Sequence, residues 1–251
     1  FFQDFFVKFY QAFIEGDRWL QYLNGVKTTL LVTALALILG IVLGVLVAML
    51  RTAHDQQRPG HRNPILAVLN LICKVYVTVI RGTPMMVQLL IMGFVIFASS
   101  RNFTMIGTLT LGINSGAYVS EIVRGGLMSV DKGQMEAGRS LGLNYMTTMR
   151  FIVIPQAVKA ILPALGNEFI MIIKDTSLGS TFFIGDLMTQ YLVVKGATYL
   201  PIEPLVIVGV IYFIMTFVLS KVFGHFERKM KKADRNNGYG RKRKQQREVH
   251  I

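Results

Sequence analysis

Apolar residues run through this chain in blocks too long for a strand and too uniform for the one-sided stripe of a soluble helix. The block 28–50 carries no charged residue. At ~1.5 Å per residue such a helix exceeds the ~30 Å hydrocarbon core of a bilayer. It ends at Arg51, and a polar, basic link continues to Pro64, where Asn63-Pro64 predicts the next helix start. A second block, 65–100, is interrupted by Arg81-Gly82-Thr83-Pro84. The uncharged block 102–120 follows, then a polar island around Glu136. The block 161–173 is apolar except for Asn167 and Glu168, and Pro163 fits the first turn of its helix. The block 205–219 is the last, and from Lys221 onward the chain is polar and basic.

Positive charge retained on the cytoplasmic side fixes the topology. The basic link and the Glu136 island both belong inside, so two crossings lie between them: 65–100 as one, and 102 to about 126 as the other. Two more crossings return the chain to a basic, inside tail. The expectation is an all-α integral membrane protein with five transmembrane helices, the N-terminus outside and the C-terminus inside. Splitting 65–100 into two spans would put the tail on the wrong side. Aromatic and charged residues alternate from Phe5 to Trp19, which predicts an interfacial amphipathic helix. The chain therefore divides into an interfacial segment 1–20, a transmembrane domain 21–225 and a basic cytoplasmic tail 226–251. The tail is expected as a mobile, solvated segment or as one lying on the anionic leaflet.

Composition agrees. Of 251 residues, 52% are hydrophobic and only 16% charged, with mean hydropathy +0.47. The net charge of +13 would suit nucleic acid, but eleven of the 27 Lys and Arg lie at or after Lys221 and others sit in short links. That is the distribution of a membrane protein rather than of a nucleic-acid face. The single Cys73 excludes a disulfide framework, and the four His have no metal-site spacing.

Three polar features interrupt the apolar blocks. Glu136-Ala137-Gly138-Arg139-Ser140-Leu141-Gly142, with Ile152-Val153-Ile154-Pro155 following, suits a short helix that plugs into another protein and stops at Gly142. Gly82-Thr83-Pro84 predicts a broken helix, since Pro84 lacks a donor and pushes Thr83 out of helical dihedrals. The break is either a kink lining a translocation path, with Gln88 placed on it too, or a boundary between an interfacial helix and a short span. Glu168 and Asp175 are seven residues apart, close to two helical turns, and so share a face. An acid inside a membrane segment faces a cavity or a partner. A pair of acids suits an ammonium or guanidinium substrate group. The alternatives are an internal salt bridge from Glu168 to Arg81 or Lys159, and an outer-interface position for Asp175 beside Lys174.

Arg81-Gly82-Thr83-Pro84, the 136–155 loop and Asn167-Glu168-Phe169 through Lys174-Asp175-Thr176-Ser177-Leu178 occur here in one order. In this the chain resembles the membrane permease subunits of polar amino acid ABC importers, the histidine/glutamine/arginine permease family. The resemblance spans about residues 20–225. It departs from the pattern at Gly138, at Ile154 where Leu is usual, and in the basic tail. The resemblance implies the type I importer permease fold, with Glu136, Ala137, Gly138, Ser140, Leu141 and Gly142 docking a cytoplasmic ATPase. From the helix break and the paired acids, the path is expected to be lined by Glu168, Asp175, Gly82, Thr83, Pro84 and Gln88. The implied partners are a second permease, identical or different, two ABC ATPases, an extracellular or periplasmic solute-binding protein and an amino acid substrate. The setting is the bacterial cytoplasmic membrane, with no nucleic acid involved. This subunit is expected to bind no cofactor and to catalyse nothing, ATP and Mg2+ belonging to the ATPase. Gly112, Ser115 and Gly116 are the small residues expected at the face between paired permeases. Importers of other small polar solutes share the docking motif. A stand-alone ion-coupled carrier would need paired broken helices and internal repeats, and only one break and no long repeat is evident.

Overall fold

The computed structural model describes residues 2–57 and 63–248. Arg58, His61 and Arg62, in the middle of the predicted cytoplasmic link, lie outside the described residues. The described residues form ten α-helices joined by short 3-10 and π-helical segments, with no strand among them. In chain order these are α1 (Phe2–Phe13), α2 (Arg18–Asp55), α3 (Pro64–Gly82), α4 (Met85–Ile91), α5 (Phe103–Met128), α6 (Lys132–Ser140), α7 (Tyr145–Thr148), α8 (Ile154–Asp175), α9 (Leu187–Thr198) and α10 (Glu203–Glu248).

The centre of the bundle is the contact between α2 and α5. Small residues recur along α2 every third or fourth position (Gly25, Thr29, Thr33, Ala36, Gly40, Gly44, Ala48), and all of them are buried. Gly25 and Thr29 meet α9, and against Gly40 and Gly44 lies α5. A Cβ on Gly40 would stand 2.7 Å from Ser115 Oγ, one on Gly44 2.6 Å from Val119 Cγ1, and one on Gly112 2.6 Å from Leu39 Cδ2. Such distances leave no room for a side chain, so the two backbones approach as closely as helices can. Residue numbers rise together along the contact, so the helices run parallel, and at the far end Arg51 meets Glu121 at 2.7 Å. This corrects the expectation for Gly112, Ser115 and Gly116. All three are buried within the chain against α2 and α3 and are not free for a second permease. Close packing demands small residues equally within a subunit and between subunits, and spacing alone does not separate the two.

At one end of the bundle α1 folds back over α9 and α10. Gly16 (φ 64°) and Asp17 (φ 53°) make a left-handed turn between α1 and α2. The helix expected from Phe5 to Trp19 is therefore two pieces: α1 ends at Phe13, and Arg18 and Trp19 belong to α2. Ala12 and Tyr22 join Leu187, Tyr191, Val194 and Val208 in one core cluster, and the Tyr22 hydroxyl donates to the Ala12 carbonyl at 3.2 Å. Asp186 fixes α9 in place. It is fully buried and caps α9, accepting from the amides of Met188 and Thr189 and from the Thr189 hydroxyl. The Tyr212 hydroxyl of α10 reaches it at 3.4 Å, and the Leu187 amide donates to Thr29 of α2.

Two further elements differ from the sequence pattern. Pro163 does not begin a helix. A π-helical segment, Met149–Val153, leads into α8, Pro155 occupies the first turn, and Pro163 lies in the helix interior. A proline interrupts helical bonding without always ending a helix, and here packing against α5 and α10 carries α8 through it. The last helix does not stop near residue 219 either. α10 continues to Glu248. It runs antiparallel to α8, with Tyr212 beside Thr176 at the end of α8 and Phe223 edge-on to Phe169 at 6.0 Å.

Four helical stretches among the described residues are long and apolar enough to cross a membrane: Glu15–Asp55, Pro64–Gly82, Tyr145–Phe182 and Glu203–Met230. Helix α5, with 26 residues, has the length, about 39 Å at 1.5 Å per residue, but its glycines and hydroxyl residues lower its hydropathy. The large apolar side chains left on the surface of α2 and α10, such as Ile38, Leu46, Phe213 and Phe217, form the lipid-facing coat of a multi-pass membrane protein.

The α2–α5 contact gives a direct test. Gly44→Val forces a branched side chain into Val119 and the Gly116 carbonyl, and should destabilise by about 1–3 kcal/mol. Gly209→Ala, on α10 with no atom within 4 Å of the added carbon, should be neutral or slightly stabilising. Thermal unfolding of the detergent-purified protein checks this, and equal shifts for the two variants would contradict the packing account.

Candidate docking loop and translocation path

Residues 136–140 form the second half of α6, with Leu141 as its cap and Gly142 just beyond. Asp131 starts the helix, its Oδ1 accepting from the Gly133 amide at 2.6 Å. The stop is a Schellman arrangement: the Gly142 amide donates to Arg139 O and the Leu143 amide to Gly138 O, both at 3.0 Å. Gly142 has φ 77°, a left-handed conformation that glycine adopts without penalty. Its expected place as the stop of this helix is where the structure has it.

Gly138 has a second task. It is the one buried residue of α6, and a Cβ there would meet Thr148 Cγ2 at 2.5 Å and Oγ1 at 2.7 Å. Thr148 is fully buried and back-bonds to the Asn144 carbonyl. Gly138 thus lets α6 close onto α7. With Gly138 turned inward, Glu136, Ala137, Arg139, Ser140 and Leu141 are all exposed. Leu141 is 79% exposed, and Met146 and Phe151 on the following turns are exposed as well. Apolar side chains on a polar loop are the composition of a protein-binding surface.

Two side-chain contacts tie the loop to the bundle, and an ion pair joins the helix ends beside it. The Tyr145 hydroxyl donates to Gln56 Oε1 at the end of α2, at 2.6 Å. The Gln156 amide donates to Gln134 Oε1 at 3.3 Å. Arg124 of α5 pairs with Asp55 of α2 at 3.3 Å. A cleft of about 390 Å³ lies among them, lined by Asp55, Arg124, Asp131, Lys132 and Met149, with others. Loop and cleft sit at the end of the bundle opposite α1 and α9.

The expected path residues fall into two groups that meet on α5. Thr83 (φ −116°, ψ 143°) and Pro84 (φ −63°, ψ 139°) are extended and separate α3 from α4. Gly82, Thr83 and Pro84 are exposed, and a Cβ on Gly82 would meet nothing within 4 Å. Gln88 is buried behind them and bonds Asn114 of α5. Glu168, 8% exposed, lies beside Ser115, the next residue of α5. Ser115 is 1% exposed, and its hydroxyl finds no other partner. Asp175 ends α8, half-buried, near enough to act on Glu168 electrostatically. Folding thus brings the helix break and the buried acid to one level of α5 from two sides.

Arg81 does not serve Glu168. It pairs with Glu121 at 3.6 Å and lies over the Tyr118 ring at 5.2 Å. Glu121 holds Arg51 as well, so one carboxylate of α5 links α2 to the end of α3. Glu168 makes no ion pair among the described residues. The sequence signal for Glu121 was its charge in an apolar block. Nothing in spacing marked Asn114.

The α6–α7 contact predicts a compensating pair. Gly138→Ala alone should destabilise the loop by about 1–3 kcal/mol through overpacking. Adding Thr148→Ala removes both clashing atoms and should recover most of the loss, as a double-mutant cycle on thermal unfolding would measure. Simple additivity would contradict the contact.

With the geometry in place, the chain can be compared with known proteins. Residues 65–232 match the family described as binding-protein-dependent transport system inner membrane component. The arginine transport system permease protein ArtQ of Bacillus subtilis is 35% identical over 185 residues, covering 68% of this chain and 84% of the relative. The glutamine transport system permease protein GlnP of Escherichia coli K12 is 38% identical over 171 residues, covering 65% and 77%. A solved amino acid ABC transporter crystallised with histidines superposes with a TM-score of 0.75 at 39% identity, covering 83% of this chain and 94% of that one. The MetNI methionine transporter, in an inward-facing form, shares the fold with a TM-score of 0.70 at 20% identity. The chain therefore belongs to the binding-protein-dependent transport system inner membrane component family, as a multi-pass permease subunit of an ABC importer.

Proposed function

We propose that the chain is one of two paired permeases in an ATP-driven importer of polar or charged amino acids. It crosses the bacterial cytoplasmic membrane five times, through α2, the broken α3–α4 pair, α5, α8 and α10. The α6–α7 end faces the cytoplasm and the α1–α9 end faces outside, which sets the N-terminus outside and the C-terminus inside. The observation that carries this reading is the loop itself. Gly138 and Gly142 lock α6 so that Glu136, Ala137, Ser140 and Leu141 all face away from the bundle. A polar face held rigid at one end of a membrane bundle suits docking of a cytoplasmic ATPase.

ATP and Mg2+ act in that ATPase, and this subunit supplies docking geometry and path. Closing of two ATPases moves the α6 loops, the paired permeases rock toward the outside, a solute-binding protein releases its amino acid, and hydrolysis resets the pair. Each ligand biases a two-state equilibrium by its differential affinity. Relatives that carry arginine and glutamine support an amino acid cargo. Glu168, buried and without an ion pair among the described residues, supports a cationic group as its partner in the conducting state, with Asp175 as second anchor.

Docking is tested at the stop of α6. Gly142→Asp places a side chain at φ 77°, where a non-glycine residue costs about 1 kcal/mol or more. Co-purification of the ATPase should fall sharply while the variant still inserts in the membrane. Normal ATPase capture and transport would refute the assignment. Orientation is tested in the same cells, where single cysteines at Arg101 and Lys195 should react with an impermeant reagent from outside. Protection of both would overturn it.

The cargo assignment is tested by Glu168→Gln in proteoliposomes. Losing a charge-assisted bond worth about 1.5–3 kcal/mol should cut arginine uptake at least roughly tenfold more than glutamine uptake. Equal uptake of every amino acid by a well-assembled variant would remove Glu168 from the path.

A further inference from the structure

The break between α3 and α4 leaves a backbone debt that the structure settles with side chains. In an unbroken helix the Ile80 carbonyl would accept from residue 84, but Pro84 has no N–H to give. Where water does not reach it, an unserved carbonyl is costly. The Gln88 amide, one turn further on, fills the vacancy: Nε2 donates to Ile80 O at 2.7 Å and stands 2.9 Å from Thr83 Oγ1 and 3.1 Å from Thr83 O. The Thr83 hydroxyl in turn donates to Val79 O at 2.8 Å. The orientation of the Gln88 amide is fixed from α5, where Asn114 Nδ2 donates to Gln88 Oε1 at 2.9 Å.

The same helix grips the other side of the break. Glu121, seven residues beyond Asn114 and on the same face, holds Arg81 at 3.6 Å. So α5 touches both lips of the break, Gln88 after it and Arg81 before it. Only residues 129–131 separate the end of α5 from α6. A displacement of α6 therefore reaches Asn114 along a single helix.

We propose that Gln88 and Asn114 are a positioning pair through which α5 sets the form of the break, so that its Gly82-Thr83-Pro84 tip moves with the docking helix. This rests on the reading of the chain as an importer's permease. The lips of the break can shift only if this stitch shifts with them. Loss of either member leaves Ile80 O unserved or Gln88 unoriented, and the break then no longer follows α5.

The test uses the full complex in proteoliposomes, with ATPase and binding protein, and reads amino acid imported per ATP hydrolysed. Asn114→Leu and Gln88→Leu should each lower that ratio about tenfold. The double variant should be no worse than the worse single, because the pair is one device. Asn114→Gln, which retains the donor, should recover part of the ratio. Import and hydrolysis falling together, with the ratio unchanged, would show a packing role and overturn the proposal. An additive double variant would overturn it too. Should Gln88→Leu fail to assemble, Asn114→Leu against Asn114→Gln decides alone. A wild-type complex that imports no amino acid would count against the importer reading instead, so the two failures are distinct.

Discussion

The close approach of α2 and α5 is the contact from which the rest of the fold is hung. Gly40, Gly44, Gly112 and Gly116 allow two long helices to lie almost backbone to backbone. In a bilayer the lipid tails are as apolar as leucine, so helices associate by fit and by shared polar contacts rather than by escape from water. Once α2 and α5 are joined, α5 presents Asn114, Ser115, Tyr118 and Glu121 to the other helices. Gln88 and Arg81 attach on one side, Glu168 on another, and Arg51 along the seam. The polar residues around the helix break and the buried acid thus converge on a single helix.

That arrangement gives function a physical route. The loop that follows α5 is rigid by construction, with Gly138 closed on Thr148 and Gly142 stopping the helix. A rigid loop transmits force, whereas a flexible one absorbs it. At the opposite end, Asp186 caps α9 and meets Tyr212 of α10, while the Leu187 amide ties α9 to Thr29 of α2. The two ends differ in chemistry. The α6 end offers an exposed polar and apolar face, and the α9 end is capped and packed.

Much of this is legible in the sequence, and the parts that are not have specific causes. Uncharged blocks marked the long helices because membrane burial demands them. Gly142 read correctly as a helix stop, and Gly82-Thr83-Pro84 as a break, because local backbone chemistry decides both. Pro163 misled, because whether a proline starts or interrupts a helix depends on packing that a local window does not contain. Gly112, Ser115 and Gly116 misled for a related reason, since small residues mark a close approach without naming the helix that approaches. The Gln88–Asn114 bond joins residues 26 apart in sequence, and the meeting of Glu168 with Ser115 joins residues further apart still. Contacts of that kind arise only from the fold.

The most direct measurement of the account is site-specific cross-linking from Ser140, which is exposed on the outer face of α6. A photoreactive residue placed there, in membranes that also contain the ATPase and the solute-binding protein, should capture the ATPase, with a yield that changes when ATP is added. Capture of the binding protein, or of neither partner while transport proceeds normally, would contradict the assignment of α6 as the point where ATP hydrolysis takes hold of the permease.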